Sequence, residues 1–217
     1  MENTSTIILY TVITNKKDIP PKQDFSVTVF EDAYDKFVDP RRNSRIQKIM
    51  PHKFMKCDHS IYLDGNMKLL VDPQVLIDKY LKDCDIAFFI HGARDCIYDE
   101  AIEVAKLGLD DPEVIIEQAK YYEDNEYGKH KGLLQGGFII RKHNKRVERF
   151  NEAWWADYCR FSRRDQLSLM PAIESSGVIV NPIHGKWFDY RDGRASFEGI
   201  VEMGMHKNFE GNFNEQK

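Results

Sequence analysis

Four short stretches of the 217-residue sequence carry side chains whose types and spacing suit chemistry on a phosphorylated ligand. In "SIYLDGNMKLL" (residues 60–70) an apolar run breaks at Asp64-Gly65-Asn66. An oxygen-rich turn at a strand end can ligate a divalent cation, and Gly65 lets the main chain approach a phosphate. The same three residues also make an ordinary turn in which Asp and Asn bond to their own backbone. In "IHGKWF" (183–188) His184 leaves an apolar run and Lys186 offers a compact charge suited to phosphate oxygens. The plain alternative is a loop imidazole and a solvated ammonium beside a core Trp187. Asp165 in "FSRRDQLSL" (161–169) precedes an apolar helix, where it can cap the helix, act as a general base, or do both. Gln135, Gly136 and Gly137 interrupt "LLQGGFIIR"; a glycine pair inside a strand marks a bulge, a close approach to the backbone, or tight packing between strands.

Composition narrows the setting. With 31 Lys and Arg against 35 Asp and Glu, a net charge of −4, nucleic-acid binding through bulk charge is excluded, although local basic clusters remain. Cys57, Cys84, Cys96 and Cys159 form no C-x-x-C pair, so reduced thiols are expected rather than zinc ligands or a disulfide framework. The opening "MENTSTIILYTVIT" has a short apolar run and no basic leader. It reads as a strand and neither signal peptide nor anchor, no segment is long enough for a membrane span, and a cytoplasmic protein is expected.

The elements that must position these residues alternate along the chain. Strands are expected over Thr6–Thr14, Phe25–Asp32, Ser60–Leu63, Asp85–His91 and Leu133–His143, and in "GVIVNPI", from their β-branched and apolar content. The first of them should be a buried central strand. A short basic helix carries Ile46, Ile49 and Met50 at helical spacing, with Arg41, Arg42, Arg45 and Lys48 on other positions, until Pro51 stops it. Asp72-Pro73 opens a helix with Val75, Leu76, Tyr80 and Leu81 as its apolar face. Amphipathic helices follow in "CIYDEAIEVAKLGL", "DPEVIIEQAKYYEDNEY" and "NKRVERFNEAWWADYCRF", with another from "RRDQLSL". From "HGKWFDYRDGRASFEG" onward the chain reads as loop. This alternation argues for an α/β fold, a mostly parallel central sheet flanked by helices, as one domain over 1–205 with a mobile tail at 206–217.

In order, "YTVITNKKD", "FED", "RRNSRIQKIMPHKFM", "SIYLDGNMKLLVDP", "LLQGGFIIR" and "FSRRDQLSL" resemble the glycosyltransferase-like domain of plant Golgi proteins linked to pectin and mucilage, which has bacterial and viral relatives. The resemblance covers roughly residues 7–173. It implies a single GT-A-like (nucleotide-diphospho-sugar transferase) domain with a nucleotide-sugar donor, a UDP-sugar foremost, across the carboxyl ends of the first strands. A glycan or other hydroxyl compound is the implied acceptor, and Mn²⁺ or Mg²⁺ bridges diphosphate and protein. Asp64 stands where such enzymes keep an Asp-x-Asp motif, with Asn66 in place of the second acid. "HGKW" looks like a shortened His-Gly-Lys-Pro-Trp stretch of glycogenin-like transferases, which gives His184 a metal-ligand role and Lys186 a diphosphate contact.

By the same resemblance Thr11, Asp32, Arg45 and, more weakly, Lys48 cradle the donor, alongside Gly65, Gln135 and Gly136. Asp165 is the implied base that deprotonates the acceptor in an inverting reaction. Asp165-Gln166 also matches a pair that flanks the reacting sugar in a retaining family, so the stereochemical outcome stays open. Two other functions fit the same pattern: a binding module that holds a nucleotide sugar or glycan without turning it over, and a sugar nucleotidyltransferase. The second lacks a Gly-rich phosphate loop after the first strand, where "TNKKDIPP" stands. His91, Arg94 and Glu100 are either acceptor-site groups or capping and surface polar residues.

Overall fold

The computed structural model describes residues 5–14, 19–189 and 195–204; the expected tail at 206–217 lies outside the described residues. Six strands form the main sheet: β1 (Ile7–Ile13), β2 (Val27–Glu31), β3 (His59–Leu63), β5 (Ile86–Ile90), β6 (Leu134–Lys142) and β7 (Val180–Ile183), in the order β2-β1-β3-β6-β5-β7. All run in one direction except β6, which is antiparallel to both of its neighbours. The sheet is therefore mostly parallel and β1 lies inside it, as its apolar content, interrupted only by Thr11, favours.

Successive strand residues face opposite sides, and the sequence fills both. Leu9, Ile61, Phe89 and Ile140 pack on one face with Leu76 and Ile77 of α2 (Pro73–Tyr80). Tyr10, Tyr62, Phe88 and Ile139 pack on the other. There they meet α1 (Pro40–Ile49), α5 (Lys145–Arg160) and α6 (Asp165–Ser176), chiefly through Ile49, Phe150, Trp154, Tyr158 and Leu169. Two further helices, α3 (Ile97–Lys106) and α4 (Pro112–Asp124), lie between β5 and β6 in the chain. Asp39, Asp72, Asp111 and Asn144 each accept a backbone N–H at the start of α1, α2, α4 and α5, three of them just before a proline.

Three expectations need correction. The chain after His184 is not loop: β8 (Trp187–Asp189), β9 (Ala195–Phe197) and β10 (Val201–Met203) join β4 (Met67–Leu69) in an antiparallel sheet ordered β4-β10-β9-β8. Its Phe197 and Val201 complete the core under β5, where the Phe197 ring stacks on Phe89 at 3.8 Å. Val75 is exposed, and Ile77 takes the buried place on α2. Asp165 does not cap α6: Arg164 holds the cap position, Asp165 is the first helical residue, and its carboxylate turns elsewhere.

Candidate active site

Arg45 and Lys48, one turn apart on α1, project from the same face of the helix. Instead of reaching solvent they meet Asp165 at the start of α6. Lys48 Nζ lies 2.6 Å from Asp165 Oδ2, and Arg45 Nε lies 3.1 Å from the same oxygen. Lys48 is only 2 % exposed, and its Nζ also stands 3.9 Å from Asp64 Oδ1 and over the Tyr62 ring. Tyr62 in turn donates its hydroxyl to Asp64 Oδ1 at 2.8 Å. The end of α1 is fixed from below: fully buried Arg141 donates to the Tyr10 hydroxyl (2.8 Å), which donates to the Lys48 carbonyl. Trp154 fixes α6 by donating its indole N–H to the Asp165 carbonyl at 2.8 Å.

Burial alone would raise the pKa of Asp165, but Lys48 and Arg45 outweigh it and hold the carboxyl well below the usual carboxylate range. For Lys48 burial is the largest influence and draws the ammonium down, against the opposing pull of Asp165 and Asp64. With contacts this short the pair is ionised, and the depressed Asp165 is its signature.

Two cavities meet at this cluster, outside the carboxyl ends of the parallel strands, the usual ligand crevice of such sheets. The first, about 390 Å³, is lined by five cationic side chains, Arg41, Arg45, Lys48, Arg163 and Arg164, against the two carboxylates of Asp64 and Asp165. Arg163 is partnered by Asp110 at 3.1 Å. The Arg164 Nε is buried without a hydrogen-bond partner. The second cavity, about 480 Å³, holds His91, Arg94, Glu100, Gln135 and Trp187. Asp64, Leu109, Gly136, Gly137, Arg164 and Gln166 border both.

The shared wall is a strand irregularity. Phe88 pairs with Ile139 but Phe89 pairs with Gln135, so Gly136, Gly137 and Phe138 bulge out of the β5 ladder. On the other side the Asp64 N–H bonds to the Gly137 carbonyl at 2.9 Å. A Cβ on Gly137 would lie 3.0 Å from Asp64 Oδ2, and one on Gly136 would lie 3.2 Å from Lys48 Nζ.

The expected residues divide accordingly. Asp165, Gln166, Arg45, Lys48, Asp64, Gly65, Gln135 and Gly136 all line one or both cavities. So do His91, Arg94 and Glu100, where Arg94 Nε lies 2.6 Å from the buried Glu100 carboxylate and the backbone N–H of Arg94 donates to His91 Nδ1. Thr11 does not: it is buried within β1, and Val12, Ile13 and Thr14 at the strand end line the first cavity instead. Asp32, at the end of the edge strand β2, lines neither cavity. Arg41, Arg163, Arg164 and Gly137 complete the site without having been singled out as donor contacts.

The Mn²⁺ or Mg²⁺ implied by the resemblance finds a poor donor set among the described residues. His184 and Lys186 are exposed and line neither cavity. Asn66 also lines neither, and its amide donates to the Gly204 carbonyl at 2.7 Å. Of the three expected ligands Asp64 alone borders the cavities, and a buried ammonium already faces it. The one grouping of three His, Cys, Asp or Glu among the described residues with ligand atoms within 4.8 Å is Cys96, Asp99 and His130, apart from both cavities.

The chain is similar to several known proteins. The "Probable hexosyltransferase MUCI70" of Arabidopsis thaliana is 28% identical over 156 residues, which is 67% of this chain. The match spans 27% of the plant protein's length, so the chain corresponds to about a quarter of that relative. Among solved structures, the apo form of the bifunctional glycosyltransferase WbbM aligns with a TM-score of 0.50 at 10% identity, over 84% of this chain and 39% of that one. Mouse xyloside xylosyltransferase 1 in its apo form aligns at 0.47 and 9% identity, over 82% and 84% of the two chains. No helix among the described residues is long and apolar enough to cross a membrane. With the family described as "TOD1/MUCI70, glycosyltransferase-like domain" matching residues 26–176, the chain belongs to that family.

Proposed function

We propose that the chain transfers a sugar from a nucleoside-diphosphate donor, a UDP-sugar foremost, to a hydroxyl of a glycan or similar acceptor. One observation carries the reading: a strongly cationic cavity and a more mixed cavity share a wall in which two glycines sit among Asp64, Leu109, Arg164 and Gln166. A diphosphate suits the first, since Arg41, Arg45, Lys48 and Arg164 offer charge that Asp64 and Asp165 only partly offset. An acceptor sugar suits the second, where Trp187 supplies an apolar ring and Arg94 and Glu100 supply polar contacts. The sugar to be moved would lie at the shared wall, close to Asp64 and Gln166.

In the reaction the anomeric carbon exchanges its bond to a phosphate oxygen for a bond to the acceptor oxygen. The bonding pair leaves with the nucleoside diphosphate, and the acceptor proton passes to a base. Asp165 is the expected base, yet a carboxyl held this low takes up a proton poorly. In the present arrangement it holds Lys48 and Arg45 at the cavity. Donor phosphates competing for those two cations would loosen their grip on Asp165 and raise its basicity.

The test is incubation of the full chain with a panel of nucleotide sugars. Released nucleoside diphosphate supports transfer or its hydrolytic side reaction. In a parallel incubation with a nucleoside triphosphate and a sugar 1-phosphate, release of pyrophosphate would make the protein a nucleotidyltransferase instead, and binding of a nucleotide sugar without release would make it a nucleotide-sugar-binding module.

A further inference from the structure

We propose that Lys48, and not a divalent metal, supplies the positive charge that meets the donor's diphosphate beside Asp64, so that donor binding needs no added cation. The inference rests on the nucleotide-sugar reading above and assigns the charge within it.

The Lys48 side chain is 2 % exposed, yet the residue lines the cationic cavity. The way to it is kept open by a missing side chain, because a Cβ on Gly136 would sit 3.2 Å from Nζ. Its position is built rather than incidental. Asp165 holds it at 2.6 Å, the Tyr62 ring lies beneath it, and the Arg141–Tyr10 relay anchors its carbonyl.

A hard divalent ion asks for about six oxygen ligands and usually takes one or two carboxylates in addition to substrate phosphates. Here Asp165 is committed to two cations, and Asp64 Oδ1 already accepts the Tyr62 hydroxyl 3.9 Å from the Lys48 ammonium. A dication on Asp64 would repel that ammonium across a few ångströms of low-dielectric protein. Desolvating Lys48 a second time is unnecessary, since folding has already stripped its water. A phosphate oxygen reaching it replaces a carboxylate contact with another charge-assisted one. Arg164, whose Nε lacks a partner, offers a second donor to the same anion.

Calorimetric titration of the full chain with UDP, GDP and ADP, in a chelator and again with Mn²⁺, tests this. At least one nucleotide should bind in chelator with affinity within about threefold of that in Mn²⁺. Lys48→Met should weaken it about 10- to 100-fold in both media, the loss of one hydrogen bond to a charged group. Asp64→Asn should leave the ratio of the affinities in chelator and in Mn²⁺ near one, because on this reading no cation bridges that carboxylate to the diphosphate. That variant keeps the proposal testable should Lys48→Met fail to fold. Binding that appears only with Mn²⁺ and vanishes in Asp64→Asn would overturn the assignment to Lys48 while leaving the nucleotide-sugar reading standing. If none of the nucleotides binds in either medium, the nucleotide-sugar reading falls, and this inference with it.

Discussion

Replacing Asp165 with Asn keeps the shape of the side chain and removes only its charge, which isolates the electrostatics of the cluster. Lys48 would then keep just Asp64, 3.9 Å away, and the Tyr62 ring. Removing one partner of a buried ion pair typically costs about 3–5 kcal/mol, because the other charge is left uncompensated. The chemistry also sets a ceiling. An ordinary lysine titrates near pKa 10.4 and each pK unit is worth about 1.4 kcal/mol, so at pH 7 Lys48 can shed its proton for about 5 kcal/mol. Shedding it leaves the folded variant with fewer bound protons than the unfolded chain, so its stability should rise with pH. In that regime the deficit relative to wild type shrinks by about 1.4 kcal/mol per unit between pH 7 and 9. Urea unfolding followed by tryptophan fluorescence reads this directly, since Trp154 is buried against the substituted residue. Adding Lys48→Met to Asp165→Asn should restore much of the loss. A deficit below about 1 kcal/mol at pH 7, with no pH dependence, would refute the pairing described above.

Two further outcomes are expected. In Gly137→Ala the new methyl must displace the Asp64 carboxylate or the Met67 side chain, both 3.0 Å from its position; overpacking of this kind costs about 1–3 kcal/mol, measurable by urea unfolding, and nucleotide binding should weaken with it. His143 is held neutral, pushed down to about 4, mainly by burial and then by Arg141, His52 and His59. As pH falls below the unfolded value near 6.5, the unfolded chain gains a proton that the folded chain refuses. Stability should therefore drop through that range and level off below pH 4, by up to about 3 kcal/mol from this group. His143→Gln should remove that part of the acid limb, and an unchanged slope in the variant would show that the burial of His143 is not its source.

Much of this architecture was legible in the residue pattern, because local rules govern it. Asp72-Pro73 announced α2, and the bulge was one of the three readings open for the Gly136-Gly137 pair. The sheet β4-β10-β9-β8 was not legible. Its strands are three residues each, too short to display alternation, and β4 pairs with a partner far along the chain. The charges of the site were visible as residue types but not as partners. Lys48 could have faced solvent from one turn of helix; only the docking of α1 against the start of α6 buries it on Asp165. The same limit applies to His184, whose neighbours suit a ligand and whose position in the fold leaves it exposed and outside both cavities.

The bulge in β6 carries a constraint on how this protein can diversify. Where the two cavities touch, two of the bordering residues are glycines, and a side chain added at either would crowd Lys48 or Asp64. Variation in what the cavities hold is therefore expected at side chains around the glycines: Gln166 and Arg164, which border both cavities, and Met67 and Trp187 in the second. Such changes would retune preference while the central seam stays the same.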